Sequence, residues 1–110
     1  HWLGKDFTFT AVLPDEKHTR VPLIKIDQWN FNWQGTYAFV EPIRLPKGTY
    51  FEMVAHFDNS DKNPVNPNKP AKLVTWGDQT NDEMCIGIYE FIPAGDDPAP
   101  AKPKDAAKGN

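Results

Sequence analysis

A soft sulfur at the mouth of an apolar run is the first chemically suggestive feature of this chain. The stretch 75–89 begins polar and turn-prone, as Trp76-Gly77-Asp78-Gln79-Thr80-Asn81. It then passes through two carboxylates, Asp82 and Glu83, into Met84-Cys85-Ile86-Gly87-Ile88-Tyr89. Those last six residues are apolar at odd and even positions alike, the pattern of a strand covered on both faces. Met84 thus sits where a polar loop enters a buried strand. A methionine there most often fills core space, because its unbranched thioether adapts to irregular gaps. Its sharper use is as a ligand for a soft metal. A second group is Gln28-Trp29-Asn30-Phe31-Asn32-Trp33-Gln34, three aromatics alternating with amides. Core packing is the commoner use of such aromatics, and a stacking platform for a sugar ring is the alternative.

Met84 gains weight beside the start of the chain, His1-Trp2-Leu3-Gly4-Lys5. Together with Asp82-Glu83-Met84-Cys85, this segment resembles the C-terminal domain of the copper type II, ascorbate-dependent monooxygenases. That group includes the peptidylglycine α-hydroxylating and dopamine β-monooxygenases. Its members carry a His-x-His pair running into x-Leu-Gly-Lys, and later a methionine in Asp-Glu-Met. Asp58-Asn59-Ser60, Asn63-Pro64, Asn66-Pro67 and Trp76-Gly77-Asp78-Gln79-Thr80 look like the bacterial branch of that domain. The resemblance spans residues 1 to 92. His1 aligns with the second histidine of the pair, and the first is not in this sequence. Either the chain is cut inside the motif or the site is incomplete.

The resemblance implies a jelly-roll-like fold and a copper that holds O₂ through two histidines and one methionine. It implies hydroxylation of an aliphatic C–H in a small-molecule or peptide substrate. Electrons come from ascorbate through a second copper in a separate N-terminal domain, so upstream domains of the same chain are the implied partners. His1 and Met84 carry over as two of three ligands, and His56 is a candidate outer-shell or substitute ligand. Asp82 and Glu83 flank Met84 and either orient the site or are solvated loop carboxylates. Imidazole with thioether suits copper that cycles through Cu(I), because the soft sulfur stabilises the reduced ion. The implied location is periplasmic or secreted, and the chain alone is expected to bind copper weakly and not to turn over.

Two other readings stand beside this one. The chain is a non-catalytic binding module for carbohydrate or protein, using the Trp29/Phe31/Trp33 face. Alternatively, the α-amine and imidazole of His1 chelate copper together, helped by a second histidine such as His56.

At 110 residues and a net charge of −3, the chain is one domain large enough for a two-layer core. No basic run suggests nucleic acid. No apolar stretch reaches membrane-spanning length. The lone Cys85 forms no internal disulfide and leaves the compartment unread.

The elements that must position these groups are short strands. Phe7, Phe9, Ala11 and Leu13 alternate on one face of a half-buried strand. A turn at Pro14-Asp15-Glu16-Lys17 leads to a second strand at 21–26, where Pro22 demands an edge or a bulge. The apolar phase then flips from Ile24 and Ile26 to Trp29, Phe31 and Trp33, which places a bulge or bend near Asp27-Gln28. Tyr37-Ala38-Phe39-Val40 reads as a further strand. A turn at 45–49 precedes a strand over 49–57, with Phe51, Met53, Ala55 and Phe57 inward and His56 on the other face. The Asn-Pro-rich segment 58–72 reads as a self-hydrogen-bonded loop covering the domain. About seven strands predict an all-β, antiparallel two-sheet β-sandwich over 1–93, followed by a disordered Pro/Ala/Lys-rich tail at 94–110. The paired motifs make sense only if His1 and Met84 lie close together, with the first and last strands as neighbours.

Overall fold

Alternation along the first strand sets the architecture. In the computed structural model, which describes residues 1–95, three strands form: β1 (Gly4–Val12), β2 (Arg20–Ile26) and β3 (Tyr50–Phe57). They make one open antiparallel sheet in the order β2-β1-β3, and no helix occurs among the described residues. Phe7 faces Ile26 on one side and Ala55 on the other. Phe9 faces Ile24 and Met53, and Ala11 faces Val21 and Phe51. An apolar face three strands wide results, on which Phe9 and Ala11 are buried, with Leu3 buried just ahead of β1.

The reverse face is closed by charge. Arg20 of β2 lies opposite Val12, and Glu52 of β3 lies opposite Thr10. The two side chains pair across the central strand. Beneath them Thr10 and Val12 are buried, since long charged side chains cover apolar surface with their stems.

Local chemistry explains the turns. Asp15 accepts from the Thr19 N–H at 2.7 Å, and its carboxyl is held below the usual range, first by the Thr19 hydroxyl and then by that N–H. Closing this turn leaves His18 in the left-handed region at φ 49°. Pro22 falls where both expectations put it, on an edge strand beside a register shift: Ile24 pairs with Phe9 but Pro22 with Thr10. The extra residue is Leu23. The bend at Asp27-Gln28 is present, and beyond it the Trp29 N–H donates to the Lys5 carbonyl at 2.8 Å.

The loop at 58–72 is held by its own amides. Asp58, Asn63 and Asn66 each accept, through Oδ1, the N–H two residues ahead, from Ser60, Val65 and Asn68 at 3.0, 3.1 and 2.9 Å. This repeated turn is why asparagine recurs here. The Nδ2 groups reach further. Asn63 donates to the Asp58 carbonyl at 2.8 Å, and Asn66 to Asn59 Oδ1 and the Ser60 carbonyl at 3.1 and 3.2 Å. The Asp58 N–H then docks the loop on the sheet through the Leu3 carbonyl at 2.7 Å.

Two expected strands are absent. Residues 37–40 form no strand, with Tyr37, Phe39 and Val40 exposed. Residues 84–89 also lack ladder partners. They cross the apolar face of the sheet with alternate residues inward. Tyr89 packs on Phe51 at 4.4 Å and Phe9 at 5.9 Å between ring centres. A Cβ on Gly87 would stand 2.3 Å from the Met53 sulfur. The other parity faces outward, with Ile86 exposed and Ile88 89 % exposed. Covering both faces needs a layer on each side, and among the described residues only one sheet is present. The tail expected over 94–110 lies, beyond Gly95, outside the described residues.

Asn66→Ala removes two donated bonds and one accepted bond at a buried position, so it should cost about 2–3 kcal/mol. Denaturant unfolding with an unchanged m-value checks this.

Candidate functional site

A tight loop brings Asp82 and Glu83 to the start of β1. The Glu83 N–H donates to the Thr75 carbonyl and the Gly77 N–H to the Glu83 carbonyl, both at 3.1 Å. An isolated parallel bridge between Trp76 and Glu83 results. The Asp82 N–H closes back on the Gln79 carbonyl at 2.9 Å. Glycine is required at 77, because a Cβ there would lie 2.1 Å from Asp82 Oδ2 and 2.9 Å from Asp82 Cβ.

From this loop the Glu83 carboxylate clamps the first residues of the chain. Its Oε2 accepts from the His1 backbone nitrogen at 2.6 Å, and its Oε1 accepts from the Leu3 N–H at 2.7 Å. Both residues are largely shielded from solvent, their side chains 14 % exposed each. The His1 ring is fixed separately, by an Nδ1–H donated to the Asp82 carbonyl at 2.6 Å. Trp29 Nε1–H donates to the His1 carbonyl at 2.8 Å. Phe31 packs edge-on to the imidazole with ring centres 5.4 Å apart, and Trp2 packs against Phe31 at 4.7 Å.

The tautomer follows from the partner. A carbonyl oxygen only accepts, so Nδ1 carries the proton and Nε2 keeps its lone pair in the neutral ring. Metal-binding histidines are held this way, with one nitrogen donating to a carbonyl and the other facing the ion. His1 thus has Nε2 as the acceptor nitrogen of its ring.

Met84 follows Glu83 directly and is half-buried, so the loop that contacts His1 also carries the thioether. The two carboxylate residues act on His1 in different ways, Asp82 through its backbone oxygen and Glu83 through its side chain. His56 lies opposite Asp6 across β3 and β1 and is exposed, with Nδ1 2.6 Å from Asp6 Oδ1. Its partner is a cross-strand carboxylate, not His1. Among the described residues no three His, Cys, Asp or Glu side chains are grouped to hold a metal. Cys85 is free and exposed.

The aromatic run departs from the expectation of one buried face. Trp29 and Phe31 are half-buried, whereas Trp33 is 80 % exposed. Asn30 is the cause. Its Oδ1 accepts the Asn32 N–H and its carbonyl the Trp33 N–H, both at 2.9 Å. A turn replaces the extended backbone, and period-two alternation stops at Phe31. Four amides in seven residues, two of them asparagine, were the available signal, since asparagine favours turns over strands. Trp2, which backs Phe31 beside His1, is a site residue that sequence reasoning passed over.

No family model, no curated protein and no solved structure matches this chain.

Glu83→Ala strips the carboxylate from the His1 and Leu3 backbone nitrogens at once, and unfolding should register a loss of about 2–3 kcal/mol. Glu83→Gln keeps one carbonyl acceptor and should lose less.

Proposed function

We propose that this chain is a copper-binding domain of the ascorbate-dependent monooxygenase kind, with His1 Nε2 and the Met84 thioether as ligands. One observation carries the reading: the Nδ1–H of His1 is held by the Asp82 carbonyl, two residues from Met84. Two sequence segments that resemble the family's ligand motifs are thereby in direct contact. In that family a copper so held supplies O₂ activation and hydroxylation of an aliphatic C–H, with electrons from ascorbate.

This chain's own residues set the ligand. Asp82 fixes the imidazole tautomer, Glu83 anchors the backbone on either side of Trp2, and Phe31 and Trp2 wall the ring from one side. A third ligand belongs to the first histidine of the family's pair, which would precede His1. The jelly-roll-like sandwich is part of the same proposal. It requires 37–40 and 84–92 to pair as a second sheet over the apolar face. A periplasmic or secreted location also belongs with this reading. No helix among the described residues is long and apolar enough to cross a membrane.

Met84→Ile keeps volume nearly constant while removing the sulfur, so thermal unfolding should change little. Cu(I) affinity should fall at least tenfold, and Cu(II) affinity less, because sulfur prefers the softer ion. A competition titration in which the variant binds Cu(I) as tightly as the parent would reduce Met84 to a packing residue.

A further inference from the structure

Two open grooves flank Trp29 and Asn30. One is lined by Ile26, Gln28, Trp29, Asn30, Trp33 and Tyr37. The other shares Gln28, Trp29 and Asn30 and adds Trp2, Phe31 and Asn32 along its wall, with Val65 of the Asn-Pro loop at its rim. A quarter of the chain is charged, yet no charged side chain lines either groove. The lining is instead aromatic rings interleaved with primary amides.

That combination selects a chemical class. A flat ring exposed to water offers a stacking surface with little entropy to lose. Trp33 at 80 % exposure and Tyr37 at 56 % are such surfaces, and neither is held in the core. An amide presents a donor pair and an acceptor together, which matches hydroxyl groups that also donate and accept. Gln28 and Asn32 are exposed beside those rings, and Asn30 uses its Oδ1 internally, which leaves its NH₂ as a donor. A nucleic-acid strand also stacks on aromatics, but its phosphates need lysine or arginine in the groove, and none is there. An anionic or cationic ligand likewise finds no counter-charge.

We infer that the two grooves form one cleft that binds a neutral saccharide. Pyranose rings stack on Trp33 and Tyr37 through their C–H faces, and ring hydroxyls bond to Gln28, Asn30 and Asn32. The inference does not rest on copper. The cleft nevertheless ends at the candidate site, because Phe31 packs against His1.

The test is calorimetric titration of the full chain with cellohexaose, xylohexaose, mannohexaose and chitohexaose, in the presence of a chelator so that metal plays no part. At least one of the four should bind. Hexagalacturonate, which is charged, should not. Trp33→Ala should weaken the binding about tenfold, the loss expected for one stacking contact. Phe91→Ala, which truncates an aromatic residue that is also exposed but lies outside the cleft, should leave binding unchanged. Far-UV circular dichroism confirms that both variants fold. The inference is overturned if none of the four neutral sugars binds, or if Trp33→Ala binds as the parent does. Equal loss in Phe91→Ala, or equal binding of hexagalacturonate, overturns it as well.

Discussion

The Glu83 carboxylate is the interaction on which the rest of the site depends. Both of its oxygens accept from backbone nitrogen, one from His1 and one from Leu3. These donors lie just ahead of β1, where no ladder partner would otherwise take them. The Leu3 carbonyl accepts from Asp58, so Leu3 has both peptide groups satisfied while its side chain is buried. A charged acceptor forms stronger hydrogen bonds than a neutral one, the more so when water is largely excluded. The start of the chain, the Asn-Pro loop and the loop before Met84 are therefore fastened at one point.

Once Glu83 has fixed the backbone, the imidazole has little freedom left. The Asp82 carbonyl sets its proton, Phe31 packs against its side and Trp29 holds its carbonyl. Gly77 leaves room for the Asp82 side chain, which a Cβ at 77 would force to move. Gly4 does the same for Trp29, since a Cβ there would lie 2.9 Å from the indole. The chemistry at His1 Nε2 thus traces back to two positions without a side chain.

Legibility in the sequence followed the reach of each interaction. β1, β2 and β3 were readable because alternation and turn residues are local signals, and Pro22 announced its own bulge. Residues 29–33 were misread because a turn at Asn30 overrides the alternation of their aromatics. Residues 84–89 were apolar enough for a doubly covered strand, but pairing is not encoded in one segment alone. Asp82 and Glu83 stood out only by adjacency to Met84. Their partners are backbone groups some eighty positions away in sequence, and no side-chain pattern reports a backbone donor. His56 illustrates the same point, since its pairing with Asp6 depends on a cross-strand register that becomes visible only when β1 and β3 are laid side by side.

The copper reading joins these parts, because a histidine with Nδ1 protonated and a thioether on the adjoining loop make a soft, unequal ligand pair. X-ray absorption at the copper edge of the Cu(I)-loaded protein tests it most directly. One sulfur scatterer together with imidazole nitrogen in the first coordination shell is the predicted result. A shell of nitrogen and oxygen alone would contradict it.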